Sequence, residues 1–160
     1  VKAMPGIPED IHLVLVGKRT YYTNQIDAFI KSHRLEKRVH LLHDVTFQYL
    51  PAIYQQAEIF VYPSRFEGFG IPIIEALHSG IPVIAATGSC LEEAGGPDSL
   101  YVHPDDKEGM TKAICSLLNH PEKRQHMIEQ GLKYVTRFSE QRQAEELMNL
   151  YRSLTEEKTI

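Results

Sequence analysis

The chain has 160 residues, 42% of them apolar and 24% charged, with a net charge of −4. That is enough for one domain with a real core and short for a two-domain enzyme. Lys and Arg are scattered among acids, as at 34–38 and 123–124, without a basic stripe or an aromatic platform, which argues against nucleic acid as a partner. Cys90 and Cys115 form no CxxC pair, and no apolar run approaches the roughly 20 residues of a membrane span. A reducing, cytoplasmic setting is expected, with peripheral attachment of a parent enzyme at the inner face of the membrane left open.

Residues 1–10 carry Pro5, Gly6 and Pro8 and begin without methionine, which reads as the end of an earlier element. Residues 12–17 (HLVLVG) are an apolar run without helical period, suited to a strand buried in a parallel sheet, and Gly17 ends it where such sheets bind ligands. Lys18 and Arg19 follow, a basic pair that either reaches a phosphate or sits in solvent. Thr23 is placed as the N-cap of a helix with Ile26, Phe29 and Ile30 on one face. A strand at 39–42, a loop at 43–46, a helix at 48–56 and a strand at 58–62 come next. Strands alternating with helices at this pace predict an α/β, Rossmann-like parallel sheet with helices on both faces.

The stretch 63–83 (PSRFEGFGIPIIEALHSGIPV) is the densest in the chain. Gly68 and Gly70 flank Phe69 and permit close backbone approach to a ligand, Pro72 fits a first helical turn, and Gly80 suits a left-handed helix end. The loop's amides therefore point out at a helix N-terminus, a place for an anion such as a diphosphate. Glu67 lies on the loop and Glu75 on the helix. Their spacing makes them poor candidates for a side-by-side acid/base pair; each alone also reads as a solvated loop acid or a complement to the helix dipole.

Residues 82–86 read as a strand, 87–89 as a polar turn and 100–103 as a last short strand. From Asp106 the pattern is helical, with stripes at Met110, Ile114, Leu117 and Leu118, at Met127, Gly131, Leu132 and Val135, and at Ala144, Leu147, Leu150, Tyr151 and Leu154. These predict C-terminal packing helices, broken at Pro121 and at Phe138-Ser139, with Ser139 an N-cap. The eight histidines include His40 and His43, and Glu75 lies one turn from His78, but neither pair has a second pair to complete a metal site. No Gly-x-Ser-x-Gly elbow occurs.

The pattern P-S-x-x-E-G-F-G-x-P-x-x-E-A-x-x-x-G-x-P-V-I resembles the donor-site signature of the group-one retaining glycosyltransferases, which have the two-domain GT-B fold. Further likeness runs through Gly17-Lys18-Arg19 with Tyr21-Tyr22, through 39–42, through 50–54, and through Phe138-Ser139 into the last helix. The resemblance implies that residues 1–160 form a single C-terminal nucleotide-sugar-binding domain. An N-terminal acceptor domain and the first strand and helix of this domain would then lie before Val1, together with the Arg and Lys that grip the diphosphate in such enzymes. It implies Glu67 beside the reacting carbon as the catalytic residue and Glu75 on the ribose hydroxyls. The backbone of Gly68, Phe69, Gly70 and Ile71 would hold the sugar or pyrophosphate, with Gly17 and Lys18 at the site and Val45 flanking the nucleobase.

The activity so implied is transfer of a hexose from a nucleoside diphosphate sugar to a saccharide or lipid-linked acceptor, as in polysaccharide biosynthesis, with no cofactor and no metal required. Two other readings of the same residues are a non-catalytic nucleotide-sugar-binding module and part of a GT-B sugar-nucleotide epimerase.

Overall fold

The computed structural model describes residues 1–156. Strands and helices alternate through β1 (Leu13–Val16), α1 (Thr23–Ser32), β2 (Val39–Leu42), α2 (Leu50–Gln55), β3 (Phe60–Tyr62), α3 (Ile71–His78), β4 (Val83–Ala86), α4 (Leu91–Gly95) and β5 (Leu100–Val102). Three helices follow, α5 (Lys107–Asn119), α6 (Pro121–Val135) and α7 (Glu140–Glu156). Every strand pair is parallel, as the alternation predicts. The pairing falls into two sheets rather than one, β1–β2 and β3–β4–β5.

β4 is the centre of the larger sheet, and all of its residues are buried. Val83, Ala85 and Ala86 face Ile73, Ala76 and Leu77 of α3, Leu91 and Ala94 of α4, and Val135 of α6. Ile84 faces the other way, into a cluster with Met110, Leu117 and Met127 of α5 and α6. Two alanines in a strand buried on both sides leave room for α3 and α4 to approach closely. The smaller sheet is covered on one face only. Leu13, Leu15 and Leu41 join Met4, Ile30, Val39 and Ile114 in a core, whereas Val14, Val16 and Leu42 of the opposite face are exposed. His12 and His40 stack on that open face, with ring centroids 5.1 Å apart.

Several boundaries differ from the sequence expectation. Thr23 is the first residue of α1, not its N-cap. Its backbone N–H bonds the Thr20 carbonyl at 3.0 Å while its Oγ1 accepts from the Thr20 N–H at 2.9 Å, the reciprocal arrangement of a capping box that begins at Thr20. The helix expected over 48–56 starts as a 3-10 turn, Phe47–Tyr49, and becomes α-helical at Leu50, because Pro51 has no N–H to return to the Phe47 carbonyl. α4 is too short to carry a readable period. The Ser139 Oγ does accept from the Arg142 N–H at 3.4 Å, at the start of α7. α5 and α6 pack as expected, but the α7 stripe of Leu147, Leu150, Tyr151 and Leu154 stays exposed.

α3 begins in the turn at Gly70, whose φ is +107°. A Cβ there would lie 2.9 Å from Leu91 Cδ2 and 3.2 Å from the Ala94 Cβ, both in the core. Gly70→Ala therefore combines a disfavoured backbone conformation with a clash against fully buried atoms. Denaturant unfolding should show a loss of about 1–3 kcal/mol, and a variant as stable as the parent would show that the turn tolerates a side chain.

Candidate functional site

The site is built at the carboxyl ends of the strands, where β3 leads through residues 63–69 into α3. Tyr62 is the last residue of β3, and its hydroxyl donates to Glu67 Oε1 at 2.6 Å. Tyr54, on α2, donates to Glu75 Oε2 at 2.9 Å. Each half-buried glutamate thus has one oxygen fixed by a phenol, and the second oxygen has no protein partner among the described residues. Burial first, and then the bond to Glu67, push the Tyr62 phenol up to about 12. Burial and the bond to Glu75 push the Tyr54 phenol up as well, and Tyr62 also lies in the field of Glu75. The two carboxylates therefore share one cluster while keeping separate phenols, in line with their reading as two acids with different tasks.

The loop between them is tied at several points. The Cys90 thiol donates to the Glu67 carbonyl at 3.3 Å, and Arg65 forks onto Asp105 beyond β5, with Nη1 to Oδ2 at 2.8 Å. That fork holds the Asp105 carboxyl below its usual range. The Phe69 ring packs edge-on against Phe138, centroids 5.5 Å apart, and so points into the protein. Only the backbone of Phe69 is left for a ligand. Among the described residues the N–H groups of Gly68, Phe69, Gly70 and Ile71 have no hydrogen-bond partner, as expected for the first turn of a helix. Their positive end faces outward beside two carboxylates, an arrangement suited to a ligand with an anionic part and hydroxyls on either side.

The remaining sequence-derived residues lie on neighbouring loops. The Gly17 carbonyl, at the end of β1, accepts from His43 Nδ1 at 2.9 Å, which ties the loops after β1 and β2 together. Lys18 is exposed and forms no ion pair among the described residues, and Val45 is half-buried in the loop after β2. No hydrogen bond links Gly17, Lys18 or Val45 directly to residues 67–71 among the described residues. Sequence reasoning missed Tyr54, Tyr62, Cys90 and Asp105. Tyr62 ends the apolar run that leads into the loop and Tyr54 lies within the stretch 50–54, but nothing in their spacing marks them as partners of the acids. No helix among the described residues is long and apolar enough to cross a membrane.

Comparison with known proteins places these features in a family. The sequence pattern described as Glycosyl transferases group 1 matches residues 1–134. The O-antigen chain mannosyltransferase RfbU of Salmonella typhimurium is 36% identical over 114 residues, 71% of this chain and 32% of that protein. Sucrose-phosphate synthase from Thermosynechococcus elongatus superposes with a TM-score of 0.83 at 29% identity, covering 98% of this chain and 41% of the other. Anabaena Alr3699/HepE, solved in complex with UDP, shares the fold with a TM-score of 0.83 at 22% identity, over 92% of this chain and 43% of its own. The chain spans about a third of the length of the curated relatives it matches.

The phenol pairs make a pH prediction. The folded-state value of Tyr62, about 12, lies above its ordinary value of 10. Its contribution to stability is thus complete below pH ~10 and is lost as pH rises through ~12. An absorbance titration of phenolate in the folded protein should leave a late-ionising fraction, and Tyr62→Phe and Tyr54→Phe should each reduce it. A late fraction unchanged by both substitutions would count against the pairs.

Proposed function

Since the chain belongs to the group 1 glycosyl transferases, we propose that it is the donor-binding domain of a retaining enzyme that transfers a hexose from a nucleoside diphosphate sugar. The diphosphate lies on the N–H groups of residues 68–71 at the start of α3, Glu75 takes the ribose hydroxyls, and Glu67 stands beside the reacting carbon. The observation that carries this reading is the pair of phenol-held glutamates on either side of a helix N-terminus with free amides. The UDP bound by the HepE relative supports the ligand class.

The chemistry follows from charge. When the sugar leaves the donor, the diphosphate gathers negative charge, and amides already aimed at it stabilise that charge more than the ground state. Positive charge develops on the sugar ring at the same moment, and a carboxylate at Glu67 opposes it. Tyr62 keeps that carboxylate in place, which matters because misplacement by an ångström costs much of the benefit. The helix end supplies the positive potential a metal supplies elsewhere, so the reading includes no metal. Transfer itself belongs to the longer parent, whose acceptor domain closes a cleft over the donor; the 160 residues alone should bind donor and turn over little.

Two measurements test this. Glu75→Ala should weaken both free nucleoside diphosphate and the nucleotide sugar by roughly 1.5–3 kcal/mol in calorimetric titrations. Glu67→Ala should spare the diphosphate and lower the transfer rate of the parent enzyme. Equal weakening of plain diphosphate by both substitutions would overturn the division of roles. The same titration repeated with a chelator should return the same affinity, and a large loss would mean that a divalent ion takes part.

A further inference from the structure

We infer that the open edges of β1 and β3 are the two sides of one seat for a β-strand carried by polypeptide outside these 160 residues, and that this strand returns to β1 through a helix lying between α1 and α5. The edges are defined by the hydrogen bonds already made. Leu13 and Gly17 donate their N–H groups to Arg38 and Leu42, on the β2 side, at 2.8 and 3.2 Å. By the two-residue period of a strand, the N–H groups of Val14 and Val16 point the other way. Phe60 donates to Pro82 at 2.9 Å on the β4 side, so the N–H of Val61 likewise points to the free edge of β3.

These edges lie side by side. Leu13 and Leu15 of β1 pack in a cluster that contains Ala3 and Ile114, and Val61 of β3 packs in another that contains the same two residues. Ala3 and Ile114 therefore sit beneath both strands and beneath the space between them. The strands also run the same way, because the loops at their carboxyl ends meet: the Tyr22 phenol after β1 acts electrostatically on the Arg65 guanidinium after β3. β1 and β3 are nonetheless in separate sheets. Two parallel edges over a common floor take one strand, parallel to both, with apolar side chains toward Ala3 and Ile114. A second copy of the chain, paired along either edge, would leave the other open.

The helix has its own place. β1 connects to β2 through α1, which packs on the inner face. A right-handed crossover from the seat to β1 steps in the same direction and puts its helix on the same face, beside α1. There the structure has a groove of about 590 Å³ lined by Ala3, Pro5 and Gly6, by Phe29 and His33 of α1, and by Thr111 of α5. The Val1 end of the chain is packed into the adjoining core. Curated relatives more than twice as long as this chain have polypeptide to spare for such a unit.

Amide hydrogen exchange followed by nuclear magnetic resonance tests this on the 160-residue chain and on the longest encoded polypeptide that contains it. In the 160-residue chain the amides of Val14, Val16 and Val61 should exchange like loop amides while Leu13 and Phe60 are protected. In the long polypeptide all three should slow by at least on the order of 100-fold, and a newly protected strand should appear before Val1. Val16→Pro gives a second reading, since proline is tolerated where a strand N–H faces solvent and not inside a sheet: it should leave the melting temperature of the short chain nearly unchanged and lower that of the long one. Fast exchange of the three valines in the long polypeptide, protection in the short chain that grows with its concentration, or a coding sequence that ends at Val1 would each overturn the proposal. If the short chain does not fold alone, the long polypeptide decides the matter by itself.

Discussion

The left-handed turn at Gly70 is the constraint on which the rest of the site depends. A strand that ends at Tyr62 must reach a helix that starts at Ile71, and the helix axis must aim its first amides at solvent rather than into β4. A φ of +107° achieves this within one residue. The cost is that α4 must sit flush against the turn, which its Leu91 and Ala94 do. α4 then puts Cys90 against the Glu67 carbonyl. Core packing and ligand geometry are thus linked through a few atoms: the alanines of β4 let α3 and α4 approach, and their approach fixes the loop.

The phenol–carboxylate pairs perform the complementary task. Glutamate side chains are flexible, and an acid that must meet one atom of a ligand loses rotamer freedom on binding. In each pair a rigid tyrosine, anchored in a strand or helix, takes up part of that loss during folding. Phe60 stacks on Tyr62 at 5.8 Å and meets Tyr54 edge-on at 5.3 Å, so the two phenols are held by one intervening ring. The acids inherit their positions from the hydrophobic packing of β3.

The glycine loop, the parallel alternation and the helix beginning at Pro72 were legible in the sequence because each has a local cause: a residue type that only one backbone conformation favours, or a period. Thr23 misled because its hydroxyl bonds backward to Thr20, a choice made by three residues together. The phenol partners were not legible, since Tyr54 and Glu75 are brought together only when α2 packs beside α3. The same holds for Arg65 and Asp105, which belong to loops after different strands. The stripe on α7 was read correctly as apolar, but whether a stripe is covered depends on neighbours, and among the described residues none covers it.

A carboxylate that already accepts a phenol proton is an acceptor at its other oxygen too. Both glutamates therefore present the incoming molecule with acceptors only, while the helix end between them presents donors only. A ligand fits when its own polarity alternates in the opposite sense, hydrogen-bearing at each flank and proton-free in the middle. Removing a hydroxyl at either flank, or capping it with a methyl group, leaves a desolvated oxygen facing carbon. The site can thus discriminate by hydrogen count as well as by shape, and it does so with side chains whose orientation was set before any ligand arrived.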